Sequence, residues 1–139
     1  MKPLERYPHC FVCGDQNPAG LNVPFYLKDD KVVAEYTAEP RFQGYKDILH
    51  GGILSALLDE VMIRAILARG ISCLTSEIKV KFTKMVKVGD RLFLEGRLTG
   101  EKGKLYLAEG KITNQNGEVV AEGEGKFIRA DGETEKLLT

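Results

Sequence analysis

His50-Gly51-Gly52 and Asp59 are the residues whose types and spacing could do chemistry, within a stretch running from Gln43 to Arg69. Glycines at the start of a helix leave N–H groups without an internal acceptor and without side chains in the way, so a ligand oxygen can approach closely. Such a place suits an anion or a developing oxyanion. Asp59 shares a helical face with Gly52 and has Ser55, Met62, Ile63 and Ile66 as neighbours. A carboxylate in an apolar stripe must be hydrogen-bonded to a backbone group or an arginine, or be used. The spacing aims it, as base or nucleophile, at the atom whose oxygen the N–H groups hold. Glu60 differs: Arg64 follows four residues later in the favourable order, so Glu60 reads as an ion-paired surface position.

The element that positions these groups is a helix from Gly52 to Arg69, ended by Gly70, with Arg69 well placed in the last turn. Its residues are apolar on nearly every side, which makes it a central helix covered by protein. Before it, two strands are expected: one carrying Leu21, Val23, Pro24, Phe25 and Leu27, and a second over Lys31 to Thr37, with an irregular connection from Ala38 to Leu49. After it, four strands follow. In the first, Leu74, Ser76, Ile78, Val80 and Phe82 alternate with Cys73, Thr75, Glu77, Lys79, Lys81 and Thr83. The others are Arg91 to Thr99, Lys104 to Thr113 and, past the hairpin signal Asn116-Gly117, Glu118 to Arg129. Hairpin strands imply an antiparallel sheet, and an apolar helix is best buried by a sheet curled around it, an α+β arrangement. Six strands leave one side of the helix open, which a dimer or larger assembly would cover.

At 139 residues the chain fits one domain, here 1–130 with a loop segment at 1–20 and a loose tail at 131–139. Hydrophobic content of 43% and charged content of 29% are those of an ordinary globular protein. Twenty basic and twenty acidic residues cancel, with no basic stripe among aromatics, so nucleic acid is not an expected partner. No apolar run approaches membrane-spanning length and the first residues lack a signal-peptide core, so the expected location is the cytoplasm, away from membranes. Cys10, Cys13 and Cys73 do not make a disulfide framework; Cys10 and Cys13, with His9, would be half of a zinc site lacking its other half, a redox Cys-x-x-Cys would sit where a strand feeds a helix rather than in a loop rich in Pro, Gly and Asn, and packing is the simpler role.

These elements resemble the hotdog fold, and His50-Gly51-Gly52 with an acid nine residues after the histidine resembles the acyl-CoA thioesterases of the phenylacetate-degradation type. Phe42-Gln43-Gly44-Tyr45 before Ile48-Leu49-His50, and the opening Cys10-x-x-Cys13-Gly14-x-x-Asn17-Pro18-x-Gly20-Leu21, are similar to bacterial members. The resemblance implies that Gly51 presents its N–H to a thioester carbonyl and that Asp59 activates water or attacks directly. It also implies that His50 holds the turn, and that Thr75 occupies a position from which a hydroxyl of the partner subunit reaches the site. Strand alternation instead places Thr75 on the face of Lys79 and Lys81, away from its own helix. Some relatives carry an asparagine where this chain has Gly44, and Gln43 beside it is the candidate substitute.

The function implied is hydrolysis of an acyl-CoA to free acid and coenzyme A, without metal or cofactor, in a homodimer or dimer-of-dimers tetramer with the site at the subunit interface. Gly51 and Gly52 supply the oxyanion site, and Lys84 and Lys87 are candidates to meet the coenzyme A phosphates. The alternative is a non-catalytic acyl-CoA or lipid-binding protein using the same cavity. A hydratase would need a catalytic histidine in a different local motif, and the other histidine here, His9, lies in the N-terminal loop.

Overall fold

The computed structural model describes residues 1–138. Its elements are β1 (Lys2–Pro3), β2 (Phe25–Lys28), β3 (Lys31–Thr37), a 3-10 turn (Pro40–Phe42), α1 (Gly51–Leu67), β4 (Cys73–Phe82), β5 (Arg91–Lys102), β6 (Leu105–Thr113), β7 (Val119–Arg129) and α2 (Gly132–Leu137). The seven strands form one sheet in the order β1-β2-β3-β5-β6-β7-β4, antiparallel at every pairing. The strand beyond the expected six is β1, two residues that pair with the outer edge of β2. Leu21 and Val23 are buried but lie outside β2, because their N–H groups donate to Phe11 O at 2.7 Å and Val12 O at 2.9 Å in the cysteine loop. Pro24 then has no N–H to continue a ladder.

The centre of the sheet takes α1. Leu57, Leu58, Val61, Met62 and Ile66 on the helix and Leu92, Ile112, Val120, Ala121 and Phe127 on the strands are fully buried. Close approach is possible because the strands carry glycine where the helix crosses. A Cβ on Gly110 would stand 3.1 Å from both Leu58 Cδ2 and Met62 Cγ, and one on Gly96 would strike the carbonyl of Val61, 2.7 Å from its carbon. We expect Gly96→Ala to destabilise the protein by about 1–3 kcal/mol, since helix backbone rather than a flexible side chain must move. Urea unfolding checks this, and an unchanged midpoint would show that the helix has slack.

Part of the helix face turned from the sheet, the side of Glu60 and Arg64, is covered within the chain. Residues of the N-terminal loop, Val12, Cys13, Leu21 and Val23, join the core, and the Arg64 guanidinium donates to Glu5 O at 2.6 Å. The stripe Gly52, Ala56, Asp59, Ile63 and Leu67 is not fully buried, and β4, which carries Thr75, is a free edge of the sheet. At the other end of the helix Gly70 adopts φ +79°, the left-handed conformation expected of the stop. The region expected as a loose tail contains α2, capped by Asp131, whose side chain accepts the N–H of Thr134 at 2.7 Å; it buries nothing. Thr139 lies outside the described residues.

Candidate active site

His50 is the N-cap of α1, with its ring folded over the first turn so that Nδ1 accepts the N–H of Gly52 at 2.8 Å. This corrects the expectation of two oxyanion donors, since the histidine consumes the Gly52 N–H. Among the described residues the N–H of Gly51 has no acceptor. His50 is itself fixed by its backbone N–H donating to Phe42 O at 3.0 Å. The Phe82 ring closes over Gly51, where a Cβ would stand 3.6 Å from Cε1. One free, glycine-bared N–H at a helix N-terminus beside an aromatic ring is a good seat for a carbonyl oxygen.

Asp59 is partly buried, and Thr75 Oγ1 donates to its Oδ1 at 2.7 Å. This overturns the outward orientation that strand alternation gave Thr75. The cause is a bulge. Thr75 pairs with Phe127 and Glu77 with Lys126, leaving Ser76 unpaired. The extra residue reverses the alternation, so Cys73 and Thr75 face inward before it and Ile78 and Val80 after it. Leu74, expected inside, is 46% exposed. Burial raises the Asp59 pKa above the ordinary aspartate value, opposed by the Thr75 hydrogen bond and assisted by the charge of Glu60. Cys73, a neighbour no sequence signal marked, is pushed up to about 11 by burial and by the Asp59 charge.

In one chain Asp59 and Gly51 do not converge. Eight residues of helix at 1.5 Å each separate them by about 12 Å along the axis, too far for both to serve one carbonyl, so spacing on one face does not suffice. The other expected site residues are arranged around the His50 end. Gln43 is exposed; its Oε1 accepts the N–H of Asp47 at 2.8 Å and braces the loop from 43 to 49, while its NH2 group has no partner among the described residues. Leu49 N donates to Val86 O at 2.8 Å, and Ile48 bridges Lys87, so the segment around Met85 runs beside this loop. Lys84 is tied to Glu118 at 3.0 Å, whereas the Lys87 ammonium has no partner among the described residues.

Glu60 is not a surface position. Arg64, 3% exposed, donates from Nε to Glu60 Oε2 at 2.9 Å, from Nη1 to Glu5 O and from Nη2 to Cys13 Sγ at 2.6 Å, and it lies 4.8 Å from the centre of the Tyr7 ring. The N-terminal loop forms the wall that buries the pair, a long-range contact that local helix spacing does not reveal.

A family model described as "Thioesterase superfamily" matches residues 46–121. The mouse (Mus musculus) protein named acyl-coenzyme A thioesterase THEM5 is 26% identical over 106 residues, which are 76% of this chain and 43% of that protein. The chain thus spans under half the length of this curated relative. The crystal structure of a thioesterase superfamily protein superposes with a TM-score of 0.82 at 27% identity, covering 87% of this chain and 60% of the other. The E. coli PaaI protein of the phenylacetic acid degradation operon gives 0.75 at 22%, covering 81% and 82%.

Proposed function

The chain belongs to the thioesterase superfamily and has its hotdog fold, and from that premise we propose that it hydrolyses an acyl-CoA thioester at a site shared by two copies of the chain. The observation that carries this is the pairing of a half-buried carboxylate, Asp59 held by Thr75, with a free N–H at Gly51 that one chain cannot bring to the same carbonyl. A second copy supplies the missing half. The free edge of β4 is ten residues long, with Leu74 and Phe82 exposed near its two ends. Antiparallel pairing of two such edges about a two-fold axis near Ile78 lays the Thr75 end of one copy beside the Phe82 end of the other. That places Asp59 of one copy toward Gly51 of its mate.

In this arrangement the Gly51 N–H and the positive end of the α1 dipole hold the thioester carbonyl oxygen and stabilise it as it gains negative charge. Asp59, its pKa raised by burial and thus more basic than an ordinary aspartate, takes a proton from water as that water attacks the carbonyl carbon. The tetrahedral adduct expels the thiolate of coenzyme A. Thr75 keeps one carboxylate oxygen occupied and the other aimed. The free Lys87 beside the loop is the better placed of the two lysines to meet phosphate, because Lys84 is already engaged by Glu118. Exposed Tyr45 and Met85, at 88% and 70%, offer apolar surface near the same mouth.

Gly51→Pro tests the donor with little risk to the fold. Position 51 is the first residue of the helix, where proline is favoured, and His50 at φ −62° and ψ 134° already has the extended conformation that a residue before proline needs. The expected loss in kcat is about 10²–10³-fold, measured by free-thiol release from a panel of acyl-CoAs with aromatic, short and long acyl groups. Mixing inactive Gly51→Pro with inactive Asp59→Asn then restores activity, because a mixed dimer keeps one site with both wild-type groups. Failure of the mixture to recover any turnover, in dimers shown to have exchanged subunits, would reject the shared site. If no acyl-CoA is hydrolysed by the wild type while the panel still protects it from thermal unfolding, the hydrolase reading falls and a binding protein replaces it.

A further inference from the structure

The cluster of Cys10, Cys13, Glu60 and Arg64 lies on the face of α1 turned from the sheet and takes no part in the hydrolysis proposed above. One sulfur or carboxylate oxygen from each of Cys10, Cys13 and Glu60 lies within 4.8 Å of the others. The loop is a tight knuckle: Gly14 N donates to Cys10 O at 3.0 Å and Cys13 N to Cys10 Sγ at 3.4 Å. Only glycine fits after the second cysteine, since a Cβ on Gly14 would stand 2.7 Å from Cys10 N. Two sulfurs in a turn of this kind can hold a metal or close a disulfide. Arg64 decides between them. Its guanidinium donates to Cys13 Sγ at 2.6 Å and to Glu60 Oε2 at 2.9 Å, so lone pairs on two of the three donors a metal would need are already engaged by a fixed cation.

The sulfurs are also unequal. Cys10 is half-buried and can be reached from solvent, whereas Cys13 and Cys73 are 1% and 3% exposed. The hydrogen bond from the Cys13 side chain holds the Cys10 thiol down at about 5 against the effect of burial, helped by the N–H groups of Cys13 and Val12 and by the charge of Arg64. The same hydrogen bond and burial push Cys13 up. Cys10 is therefore the sulfur that solvent reaches, with Glu60 Oε1 at 3.9 Å as an acceptor for its proton, and Cys13 is the buried thiol in reserve.

We propose that Cys10 and Cys13 are a reversible dithiol–disulfide pair, with Cys10 the sulfur that reacts with hydroperoxides and Cys13 the sulfur that resolves the product. The Cys10 thiolate attacks the terminal oxygen of a hydroperoxide; the S–O bond forms, the O–O bond breaks, and the departing alkoxide takes a proton to leave as an alcohol. Cys13 then attacks the sulfenic sulfur; the S–S bond forms, the S–O bond breaks, and the oxygen leaves as water with the thiol proton. Two thiols and one hydroperoxide give one disulfide, one alcohol and one water, and an external dithiol reverses the change.

The test uses the whole protein, reduced, freed of reductant and treated with hydrogen peroxide, which yields water in place of the alcohol. Intact mass is expected to fall by the mass of two hydrogens, with Cys10 linked to Cys13 in the peptide map, Cys73 still open to alkylation after unfolding, and the lost mass restored by dithiothreitol. In Cys13→Ser the reaction stops at Cys10 sulfenic acid, which dimedone captures. Oxidation that falls first on Cys73, or a wild type that keeps all three thiols under peroxide, would overturn the proposal. So would stoichiometric zinc released from the purified protein on thiol titration, which would make the cluster a metal site. None of these readouts depends on thioester turnover.

Discussion

Asp59→Asn is expected to lower acyl-CoA turnover by about 10²–10⁴-fold, the usual worth of a positioned general base, while the protein unfolds at the same temperature or higher. The amide oxygen of asparagine still accepts the Thr75 hydroxyl, so the geometry at 2.7 Å survives. What goes is the capacity to take a proton. Burial raises the Asp59 pKa in the folded state above its unfolded value. Between those two values the folded protein binds more protons than the unfolded one, so stability is lost as pH rises through that window. At neutral pH the ionised carboxylate works against the fold, and asparagine removes that cost. Free-thiol release and thermal unfolding, both followed from acid to neutral pH, check the two halves together. A variant that keeps wild-type turnover would dismiss Asp59 as the base, and one that unfolds at a lower temperature would show that the carboxylate is structural.

The second large effect is on stability, at a residue on the opposite side of the same helix. Arg64→Met is expected to cost about 3–5 kcal/mol. The methionine fits the hydrocarbon part of the arginine, so the loss is one of charge and hydrogen bonds rather than of volume. Glu60, with its side chain 14% exposed, is left with little water and no cation, and the loop loses its ties at Glu5 O and Cys13 Sγ. Burial already raises the Glu60 pKa, and Arg64, more than the Cys13 side chain, opposes that rise, so the variant also drives Glu60 toward its protonated form. Urea unfolding measures the cost. Adding Glu60→Leu is expected to recover part of it, because a buried pair removed whole is less damaging than one left half in place. A single variant as stable as the wild type would mean that the N-terminal loop contributes no net stability through this contact.

Much of this architecture could be read from residue patterns. The apolar run from Gly52, the glycine stop at Gly70 and the turn signals between the later strands placed α1 and β4 to β7 to within a few residues, because each is written in local sequence. The resemblance in His50-Gly51-Gly52 and Asp59 led to the superfamily that the family match then showed. What stayed hidden depends on contacts between distant segments. A helical wheel shows Glu60 near Arg64 but not the cysteine loop that covers them. Two glycines look like two donors until the His50 ring folds back on one of them. Lys84 counts as a free cation only until β7 brings Glu118 alongside. The distance from Asp59 to Gly51 is the one error that arithmetic on helical rise would have caught.

Ser76 has a role that no side chain at that position performs. It is one residue of surplus length between Thr75 and Glu77, and it shifts the phase of β4 so that a hydroxyl meets Asp59 on one side while Ile78 and Val80 still reach the core on the other. Any amino acid tolerated in a bulge would serve there equally well, so a substitution scan would mark position 76 as indifferent. Removing the residue altogether would leave the two halves of the strand in a common frame, and only one of them could keep its inward face. The information that builds this part of the site is carried by the count of residues, to which deletions are sensitive and point mutations are blind.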